Sequence, residues 1–328
     1  MKTILRTFVG CTAILFGTAC MGAVKYVPEN MKVELSLKVP GNNAVNYKLH
    51  PDKLENSYFD YEWRSDNKLP ITVFHKVEER DSCMRLTVQL TAAQDVYFNY
   101  RQLLSTGYRH DNCQFYMPGF WYRRNLRSPK KAPSFHTSDS WLVREDRLSA
   151  PLTGIFSEKE KRFMTVNRLD DFSMDALATH KEGEIILSGK TSLGFTGFEN
   201  QQGIAMLSFG FPYREAPKSY IRKLTLAPEV EAFQLMKKGE SVLLTWEIME
   251  SGADDFSDFI QHTWEHCYDT YAPKPVENSY SIADMKQVLS CFFVNSLVDN
   301  QPLVYNSGIH LKVSDCERNG QAEVGFIG

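Results

Sequence analysis

The sequence lacks the cysteine pattern of a disulfide-stapled or zinc-ribbon protein. Only seven of its 328 residues are cysteine, and those after the first twenty residues are scattered without a close pair. Both kinds of framework need tighter, paired spacing. We expect these thiols to be mostly buried small apolar residues, and one bridge, for example Cys83 to Cys113, stays open in an oxidising compartment. The five are Cys83, Cys113, Cys267, Cys291 and Cys316.

Other sequence features that are missing exclude further classes of function. The formal net charge is −3 and no basic run stands out, so we expect no nucleic-acid partner. No stretch after the first twenty residues has the length of a membrane-spanning helix. Nucleophile elbows, phosphate-binding glycine loops, dinucleotide fingerprints and internal repeats are missing, and we expect no cofactor and no metal ion. The composition, 43% hydrophobic with a mean hydropathy of −0.35, is typical of a globular protein.

The first residues have the features of an export signal. Lys2 and Arg6 precede the apolar segment Phe8–Phe16, which is too short to span a bilayer. Small residues then lead to Cys20, as in a bacterial lipoprotein processing site, and cleavage after Ala23 is the alternative. We therefore predict a signal peptide over residues 1–19 and export to the periplasm or outer cell surface. Membrane contact would come only through a lipid anchor on Cys20.

Apolar residues alternate with polar ones through residues 24–250, which is the period of half-buried strands. The first such strand, Met31–Val39, ends at Pro40-Gly41. Two pairs of strands look like hairpins, Leu152–Phe156 with Arg162–Val166 and Glu184–Leu187 with Ser192–Phe195. Short strands at these intervals predict a mainly β fold, an antiparallel β-sandwich of the supersandwich type. The remaining predicted strands are Ile71–Val77, Met84–Leu90, Val96–Tyr100, Ile204–Phe211, Glu231–Leu235 and Val242–Ile248.

Residues 254–328 have a helical character. Apolar residues between 256 and 271 follow three-and-four spacing, with Asp254 or Asp255 as the cap and Pro273 as the stop. A second helix is predicted from Ser281, which forms a capping box with Asp284. Two helices and a short remainder are too small to own a core. We expect a helical linker and the start of an incomplete α-helical domain, so that the chain is the front portion of a longer protein.

The segment Gln114–Pro151 is the candidate functional surface. A long proline-rich loop between strands is usually functional or disordered, and disordered segments are poor in aromatics. Its aromatic and arginine side chains suit stacking on sugar rings and forked hydrogen bonds to hydroxyls or carboxylates, which favours an acidic glycan. The alternative is that they anchor the loop to its own sandwich. The candidate substrate-binding residues are Trp121, Tyr122, Arg123, Arg124, His136, Asp139, Trp141, Arg144, Glu145 and Arg147.

Two shorter motifs point to chemistry but have structural alternatives. His262–His266 spells H-x-x-E-H, which would place two zinc ligands one helical turn apart. The favoured interpretation is that these are packed or half-exposed histidines beside an apolar stripe.

The adjacent carboxylates Glu145 and Asp146 point to opposite faces of an extended segment and could not flank one glycosidic bond. An ion-pair network is favoured there. No catalytic residue is identified.

The order of these parts resembles the domain order of some bacterial secreted glycoside hydrolases and polysaccharide lyases. These enzymes begin with a β-supersandwich and continue through linker helices into an (α/α)6 toroid. The resemblance uses the export signal, the strands, the capped linker helix and Ser281–Asp299 as a first toroid helix. It implies that Trp121–Arg124 and Trp141–Arg147 form a loop lent to an active-site cleft, while the toroid carries the catalytic acids.

We accordingly predict the sandwich portion of an exported carbohydrate-active enzyme that binds a poly- or oligosaccharide. It would be inactive without its downstream α-helical domain. The alternatives are a non-catalytic carbohydrate-binding surface lipoprotein and a β-sandwich that pairs only with other proteins.

Overall fold

The computed structural model describes residues 27–55, 57–80, 83–126, 133–170, 183–187, 191–217, 219–222, 225–227, 229–274, 280–295, 297–300 and 303–306. The predicted signal peptide with Cys20 lies outside these residues, as does Cys316.

The described chain consists mainly of strands. There are two α-helices, α1 Phe256–Tyr271 and α2 Ile282–Asn295, and Glu145–Arg147 forms a single 3-10 turn. The strands are β1 Met31–Lys38, β2 Val45–Lys53, β3 Tyr61–Arg64, β4 Ile71–Glu79, β5 Cys83–Ala92, β6 Val96–Arg109, β7 Cys113–Met117, β8 Trp121–Arg123, β9 Trp141–Arg144, β10 Leu152–Ser157, β11 Arg162–Arg168, β12 Gly183–Leu187, β13 Phe195–Gln201, β14 Ile204–Phe211, β15 Arg214–Glu215, β16 Ser219–Arg222, β17 Thr225–Ala227, β18 Val230–Met236, β19 Ser241–Gly252, β20 Leu297–Asn300 and β21 Leu303–Asn306.

Two large sheets share strand β2. In the first sheet, β6 pairs with β1, β14 and β18; β13 and β9 extend the β14 side, while β12 and β15 pair with β18. The second sheet runs β3, β4, β5, β19, β11, β10, β7, β8. Strand β2 pairs with β1 of the first sheet and β3 of the second. The predicted antiparallel β-sandwich followed by a short helical segment is confirmed.

The core lies where the apolar faces of the two sheets meet. Strand β5 alternates strictly, and its residues Leu86, Val88 and Leu90 are fully buried. Aromatic rings fill the space between the sheets: the Trp246 ring centroid lies 5.2 Å from that of Phe209 and 6.5 Å from that of Tyr100. Large aromatic side chains contribute much of the apolar area that such a core removes from water.

Strand pairing differs from the prediction where long-range contacts decide it. The β10–β11 hairpin forms as predicted. The second predicted hairpin is wrong, because Gly183–Leu187 runs parallel to β18 and Phe195 begins a strand between β9 and β14. Local turn signals cannot report that a distant strand makes the better partner. Strands β2 and β3 were not predicted. The first half of β2 does alternate, with Val45, Tyr47 and Leu49 between polar residues, but only Leu49 of this strand is buried.

The helix starts follow the sequence signals. Asp255 caps α1, because its Oδ1 accepts hydrogen bonds from the backbone nitrogens of Ser257 at 2.7 Å and Asp258 at 3.0 Å. These two bonds hold the pKa of the Asp255 carboxyl below its ordinary value. Ser281 and Asp284 form the predicted capping box: each backbone nitrogen donates to the other's side-chain oxygen at 3.1 Å.

The second helix is shorter than predicted. It ends at Asn295, and Leu297–Asn300 forms a strand paired with β21 in place of the predicted helical continuation to Asp299. Asn295 favours helix ends over helix interiors, since its side chain competes for backbone hydrogen bonds. Apolar residues of α2 such as Ile282, Val288 and Leu289 are more than half exposed.

By contacts the chain divides into two units between Cys267 and Tyr268, so most of α1 belongs with the sandwich, beyond the sequence-based boundary near residue 250. No helix among the described residues combines the length and apolar character needed to cross a membrane.

The four described cysteines are free thiols, and Cys83, Cys113 and Cys267 are buried whereas Cys291 is exposed. The Cys83–Cys113 bridge left open by the sequence is not formed.

Helix α1 is seated on the second sheet through Phe259. This ring is fully buried, with centroid distances of 4.9 Å to Phe163 and 5.9 Å to Phe156. Gly154 makes room for it, because a Cβ at that position would lie 2.6 Å from Cζ of Phe259. The seating of Phe259 therefore sets which α1 side chains meet the sheet and which face solvent.

His75 gives the core a predictable pH dependence. Its ring is fully buried, its Nε2 lies 2.7 Å from the Tyr100 hydroxyl, and burial lowers its pKa to about 3. An unfolded histidine titrates near pH 6.5. Between pH about 3 and about 6.5, His75 therefore binds a proton in the unfolded chain but not in the folded chain. We expect His75 to remove stability as pH falls through this window, by up to about 1.4 kcal/mol per pH unit.

This pH dependence is tested by measuring the free energy of unfolding in urea from pH about 5 to about 8. His75→Gln should destabilise the protein most at the high end, and its cost should shrink as pH falls. His50→Gln, at an exposed histidine of β2, is the control and should have a small, constant effect. A cost of His75→Gln that did not vary with pH would contradict the assignment.

Candidate functional site

The β7–β8 hairpin is the scaffold of the candidate loop. Tyr116 pairs with Tyr122 and Met117 with Trp121, across a turn that contains Gly119. Gly119 has φ of 78°, and a Cβ there would lie 2.6 Å from Ser149 Oγ, so the turn needs glycine. Because neighbouring strand residues point to opposite faces, Trp121 enters the interior and Tyr122 faces solvent.

The structure corrects the role predicted for the two tryptophans of the loop. Trp121 and Trp141 are 0% and 1% exposed, and their ring centroids lie 5.4 Å apart. Phe198 packs edge-on against Trp121 at 5.1 Å. Both indole nitrogens are satisfied by backbone oxygens, at 2.8 Å for Trp121 and 2.9 Å for Trp141. These rings anchor the loop in the core and offer no face to a sugar.

Two of the candidate arginines are engaged in ion pairs. Arg144, itself buried, donates from Nη2 to Asp146 Oδ2 at 2.7 Å and from Nε to the other carboxylate oxygen. Arg147 makes a forked pair with Glu215, with a distance of 2.9 Å between Nη2 and Oε2. These pairs favour the ion-pair network predicted for this segment over a substrate role for Arg144 and Arg147, because each guanidinium already commits two of its five N–H donors to a carboxylate.

Glu145 is an interior group. It is fully buried, and its Oε2 accepts hydrogen bonds from Arg168 at 2.6 Å and from the backbone nitrogen of Gly194 at 2.7 Å. Burial raises the pKa of Glu145, against the opposing effect of the Arg168 guanidinium. A carboxyl group at this depth joins the loop to β11 and does not meet a substrate.

The remaining candidates lie at or near the surface. Arg124 is half-buried: its Nε donates to the Cys113 carbonyl at 3.2 Å and its guanidinium lies over the Phe135 ring. His136 and Asp139 are exposed. His136 donates from Nε2 to the Leu126 carbonyl at 3.1 Å, and Asp139 Oδ2 accepts from Asn200 at 2.7 Å. These contacts join the two sides of the loop and leave Tyr122 and Arg123 as its most available binding groups.

Tyr122 and Arg123 meet helix α1 at a surface that we call the aromatic patch, defined by Tyr122, Arg123 and Trp264. The Tyr122 and Trp264 side chains are 51% and 42% exposed. Tyr116 supports both: its hydroxyl accepts a hydrogen bond from Trp264 Nε1 at 2.6 Å, and its ring centroid lies 5.4 Å from that of Tyr122. Two rings on different elements are thus held against one buried tyrosine.

Arg123 completes the aromatic patch. Its left-handed backbone, with φ of 58°, ends strand β8, and its guanidinium lies 5.1 Å from the centroid of the Phe256 ring. The side chain is exposed, and its charge contributes to the lowered pKa of Asp255 after the two backbone hydrogen bonds at the helix cap. The patch therefore offers aromatic faces together with a forked donor.

Trp264 was missed as a binding residue by the sequence analysis. The available signal was a large aromatic ring on α1 outside the stripe that the structure buries, which comprises Phe256, Phe259, Thr263 and Cys267. An exposed indole on a helix surface is a common binding element. Its meeting with Tyr122 depends on how α1 packs on the sheet, which the spacing of residues does not reveal.

The H-x-x-E-H motif does not form a two-histidine site. His262 Nε2 lies 3.4 Å from Asp258 Oδ1, and Glu265 accepts a hydrogen bond from Gln261. His266 turns to the sheet, where its Nε2 lies 2.6 Å from Glu247 Oε1.

Among the described residues, potential metal ligands converge at another place. Cys83, Glu247 and His266 offer ligand atoms that all lie within 4.8 Å of one another. Burial, followed by the charge of Glu247, raises the pKa of the Cys83 thiol to about 11. The Glu247 carboxyl has a lowered pKa, because the hydrogen bond and charge of His266 outweigh the opposing effect of burial.

Comparison with known proteins yields only distant likenesses. No protein-family model matches the sequence, and no curated protein matches it. Among solved structures, a polysaccharide lyase is 14% identical with a TM-score of 0.34, over 71% of this chain and 27% of its own. A protein of Synechocystis sp. PCC 6803 is 8% identical with a TM-score of 0.35, over 66% of this chain and 73% of its own.

A protein described as a kojibiose phosphorylase from the human microbiome is 6% identical with a TM-score of 0.28, over 81% of this chain and 28% of its own. This chain thus spans about a quarter of the length of the lyase and of the phosphorylase. Likenesses at these TM-scores do not assign a function.

The burial of the loop tryptophans leads to a stability prediction. Trp121→Ala should lower the free energy of unfolding by about 3–5 kcal/mol, the usual cost of emptying a buried aromatic site. Tyr122→Ala, at the next residue of the same strand, should cost less than about 1 kcal/mol because its ring is half exposed. Urea denaturation of both variants measures the difference. Similar costs for the two would contradict the inward and outward orientations described here.

Proposed function

We propose that this chain is the sandwich portion of an exported protein that binds a glycan, and that the aromatic patch is its binding surface. The observation that carries the proposal is the pair of exposed rings, Tyr122 and Trp264, held by one buried tyrosine beside an exposed arginine. Aromatic faces pack on the apolar faces of sugar rings, and guanidinium groups donate forked hydrogen bonds to sugar hydroxyls and carboxylates.

The rigidity of the aromatic patch supports this use. Tyr122 is on a strand of the sandwich, and Trp264 is on a helix whose neighbouring residue Thr263 is buried against the sheet. The Trp264 indole nitrogen already donates to Tyr116, so the ring orientation is set before a ligand arrives. Little side-chain freedom would be lost on binding, and less of the interaction free energy would be spent on ordering.

The arginine favours an acidic sugar. Arg123 presents an exposed guanidinium, and a carboxylate accepts a charge-assisted forked pair that a hydroxyl cannot match. Asp255 lies close enough for the two charges to interact, which weakens but does not abolish the positive field. We propose a uronate-containing oligosaccharide as the preferred ligand class.

We propose further that catalysis, if the parent protein is a glycoside hydrolase or polysaccharide lyase, belongs to another part of it. The paired carboxylates of the loop do not converge: Asp146 is tied to Arg144 and Glu145 to Arg168. The part played by this chain would be to hold substrate against a neighbouring catalytic domain. A non-catalytic glycan-binding lipoprotein uses the same aromatic patch and is distinguished by turnover, not by binding.

Glycan binding is tested by calorimetric titration of the full chain with neutral and uronate-containing oligosaccharides. Tyr122→Ala and Trp264→Ala should each weaken binding by about 5- to 160-fold, if stacking of a sugar on one ring contributes the roughly 1–3 kcal/mol found for nucleic-acid bases on aromatic side chains. Arg123→Gln should weaken binding of the uronate ligand more than that of the neutral one.

Tyr58→Ala is the matched control, because Tyr58 is 69% exposed and lies outside the patch. Binding that survived both ring substitutions would exclude the aromatic patch. Equal affinity for neutral and acidic oligosaccharides would exclude the uronate preference.

The proposed location is tested separately. In the native host, the wild-type chain should be found with the membrane fraction and Cys20→Ser with the soluble exported fraction, because a lipid anchor requires the cysteine thiol. A membrane-bound Cys20→Ser chain would overturn the anchor while leaving export intact.

A further inference from the structure

Three side chains of the kinds that bind transition metals converge between the second sheet and α1. Cys83 begins strand β5, Glu247 is on strand β19, and His266 is on α1. Their sulfur, carboxylate oxygen and imidazole nitrogen lie within 4.8 Å of one another. Cys83 and Glu247 are 5% and 4% exposed. Two elements of the sheet and one helix therefore aim their polar ends at a single buried point.

The sheet register explains how two of the ligands meet. Cys83 pairs with Met249, and Glu247 is two residues before it on the same strand. Residues at this diagonal lie on the same face of the sheet and within reach of one another. Because Phe259 packs on this face of the sheet, His266, seven residues or about two turns further along α1 at about 3.6 residues per turn, also faces the sheet.

We propose that Cys83, Glu247 and His266 form a binding site for a divalent cation of the zinc type, with a fourth position left to a water molecule. Thiolate sulfur, imidazole nitrogen and carboxylate oxygen are the ligands that zinc takes in proteins, and three protein ligands with one open position are a common set. This site is independent of the aromatic patch and of glycan binding.

Small side-chain movements would bring the three ligand atoms to the spacing of a tetrahedral metal site. In tetrahedral coordination with bonds of about 2.0–2.3 Å, ligand atoms lie about 3.3–3.7 Å apart. The hydrogen-bonded pair of Glu247 Oε1 and His266 Nε2, now 2.6 Å apart, must open by about 0.7 Å to this spacing. The wider separations, which reach no more than 4.8 Å, must close by about 1 Å.

The charges and protons can be accounted for with the groups present. A divalent cation would be neutralised by the Glu247 carboxylate and the Cys83 thiolate, whose proton is released to solvent on binding. The proton that His266 Nε2 donates to Glu247 must also leave this nitrogen, to solvent or by a change of tautomer that places the ring proton on Nδ1. Arg85 opposes the cation, since its Nη2 lies 3.9 Å from Glu247 Oε2, and the charge of Arg80 also acts on Cys83. The 23% exposure of the His266 side chain provides the path by which the ion enters.

Such an ion would also join the helix to the sandwich. Two ligands come from strands and the third from α1, so the bound metal would hold His266, and with it this turn of the helix, against the sheet. The H-x-x-E-H sequence thus supplies one ligand, but the other two come from the sheet rather than from His262. The proposal departs from the expectation that the sequence alone supports, which was no metal.

The test is a titration of the full chain, first stripped with a chelator, with Zn²⁺ and separately with Co²⁺. We expect one equivalent of Zn²⁺ to bind and raise the thermal midpoint. We expect Co²⁺ to give the charge-transfer absorption of a thiolate–cobalt bond. Cys83→Ser should abolish that absorption, and both Cys83→Ser and His266→Ala should weaken Zn²⁺ binding at least about 100-fold, because residues that merely orient a ligand are worth about 10- to 100-fold.

Two controls make the result specific. His262→Ala removes the other histidine of the motif, and Cys291→Ser removes an exposed thiol; both should bind as the wild type does. Circular dichroism establishes that each variant is folded, and the half-exposed position of His266 keeps that variant informative if Cys83→Ser unfolds. Absence of stoichiometric binding overturns the proposal, as does a cobalt–thiolate band that persists in folded Cys83→Ser or is lost in Cys291→Ser. An unchanged affinity for Zn²⁺ in folded His266→Ala also overturns it.

Discussion

The packing of Phe259 into the surface left open by Gly154 is the contact on which both candidate sites depend. It fixes the rotation of α1 about its own axis, because the fully buried ring packs between Phe156 and Phe163 over Gly154. Residues of one helix turn by about 100° each, so fixing one side chain fixes the directions of all its neighbours. Trp264 is thereby held beside Tyr116, and His266 over the Glu247 carboxylate.

A second constraint acts within the long loop. Trp121 and Trp141 lie against one another in the core. The ion pairs of Arg147 with Glu215 and of Glu145 with Arg168 bind the same segment to neighbouring strands. Interior aromatics and paired charges make the backbone rigid. Tyr122 is exposed on this rigid backbone, which is why a short strand can present a ring in a defined direction. Trp121, Trp141, Arg144 and Glu145 are buried, and their contacts hold the backbone of the loop in place.

Local patterns predicted the features that depend on residues close together in the chain, but not the pairing of distant strands. The β10–β11 hairpin, the cap at Asp255 and the Ser281–Asp284 capping box follow from residues close together in the chain, and each was predicted. Pairings that join distant segments were not. The parallel pairing of β12 with β18 leaves no local signal, and β2 alternates only over Val45, Tyr47 and Leu49.

The aromatic and charged residues of the loop show the same division. Alternation required Trp121 and Tyr122 to face opposite ways, but it did not say which of them met the core. Phe198, distant in the chain, decides that by packing on Trp121. The partners of Arg147 and Glu145, which are Glu215 and Arg168, are likewise remote. The sequence favoured an ion-pair network here, but it could not identify these remote partners.

The sequence by itself determined the class of fold and the capped helix starts, because period and capping are local properties of the chain. Only the tertiary structure decided which aromatic rings face solvent and which acids meet which bases. It also brought Cys83, Glu247 and His266 together and set Trp264 beside Tyr122. These outcomes depend on contacts between segments far apart in the chain, and the energy of such contacts is not encoded in any one segment.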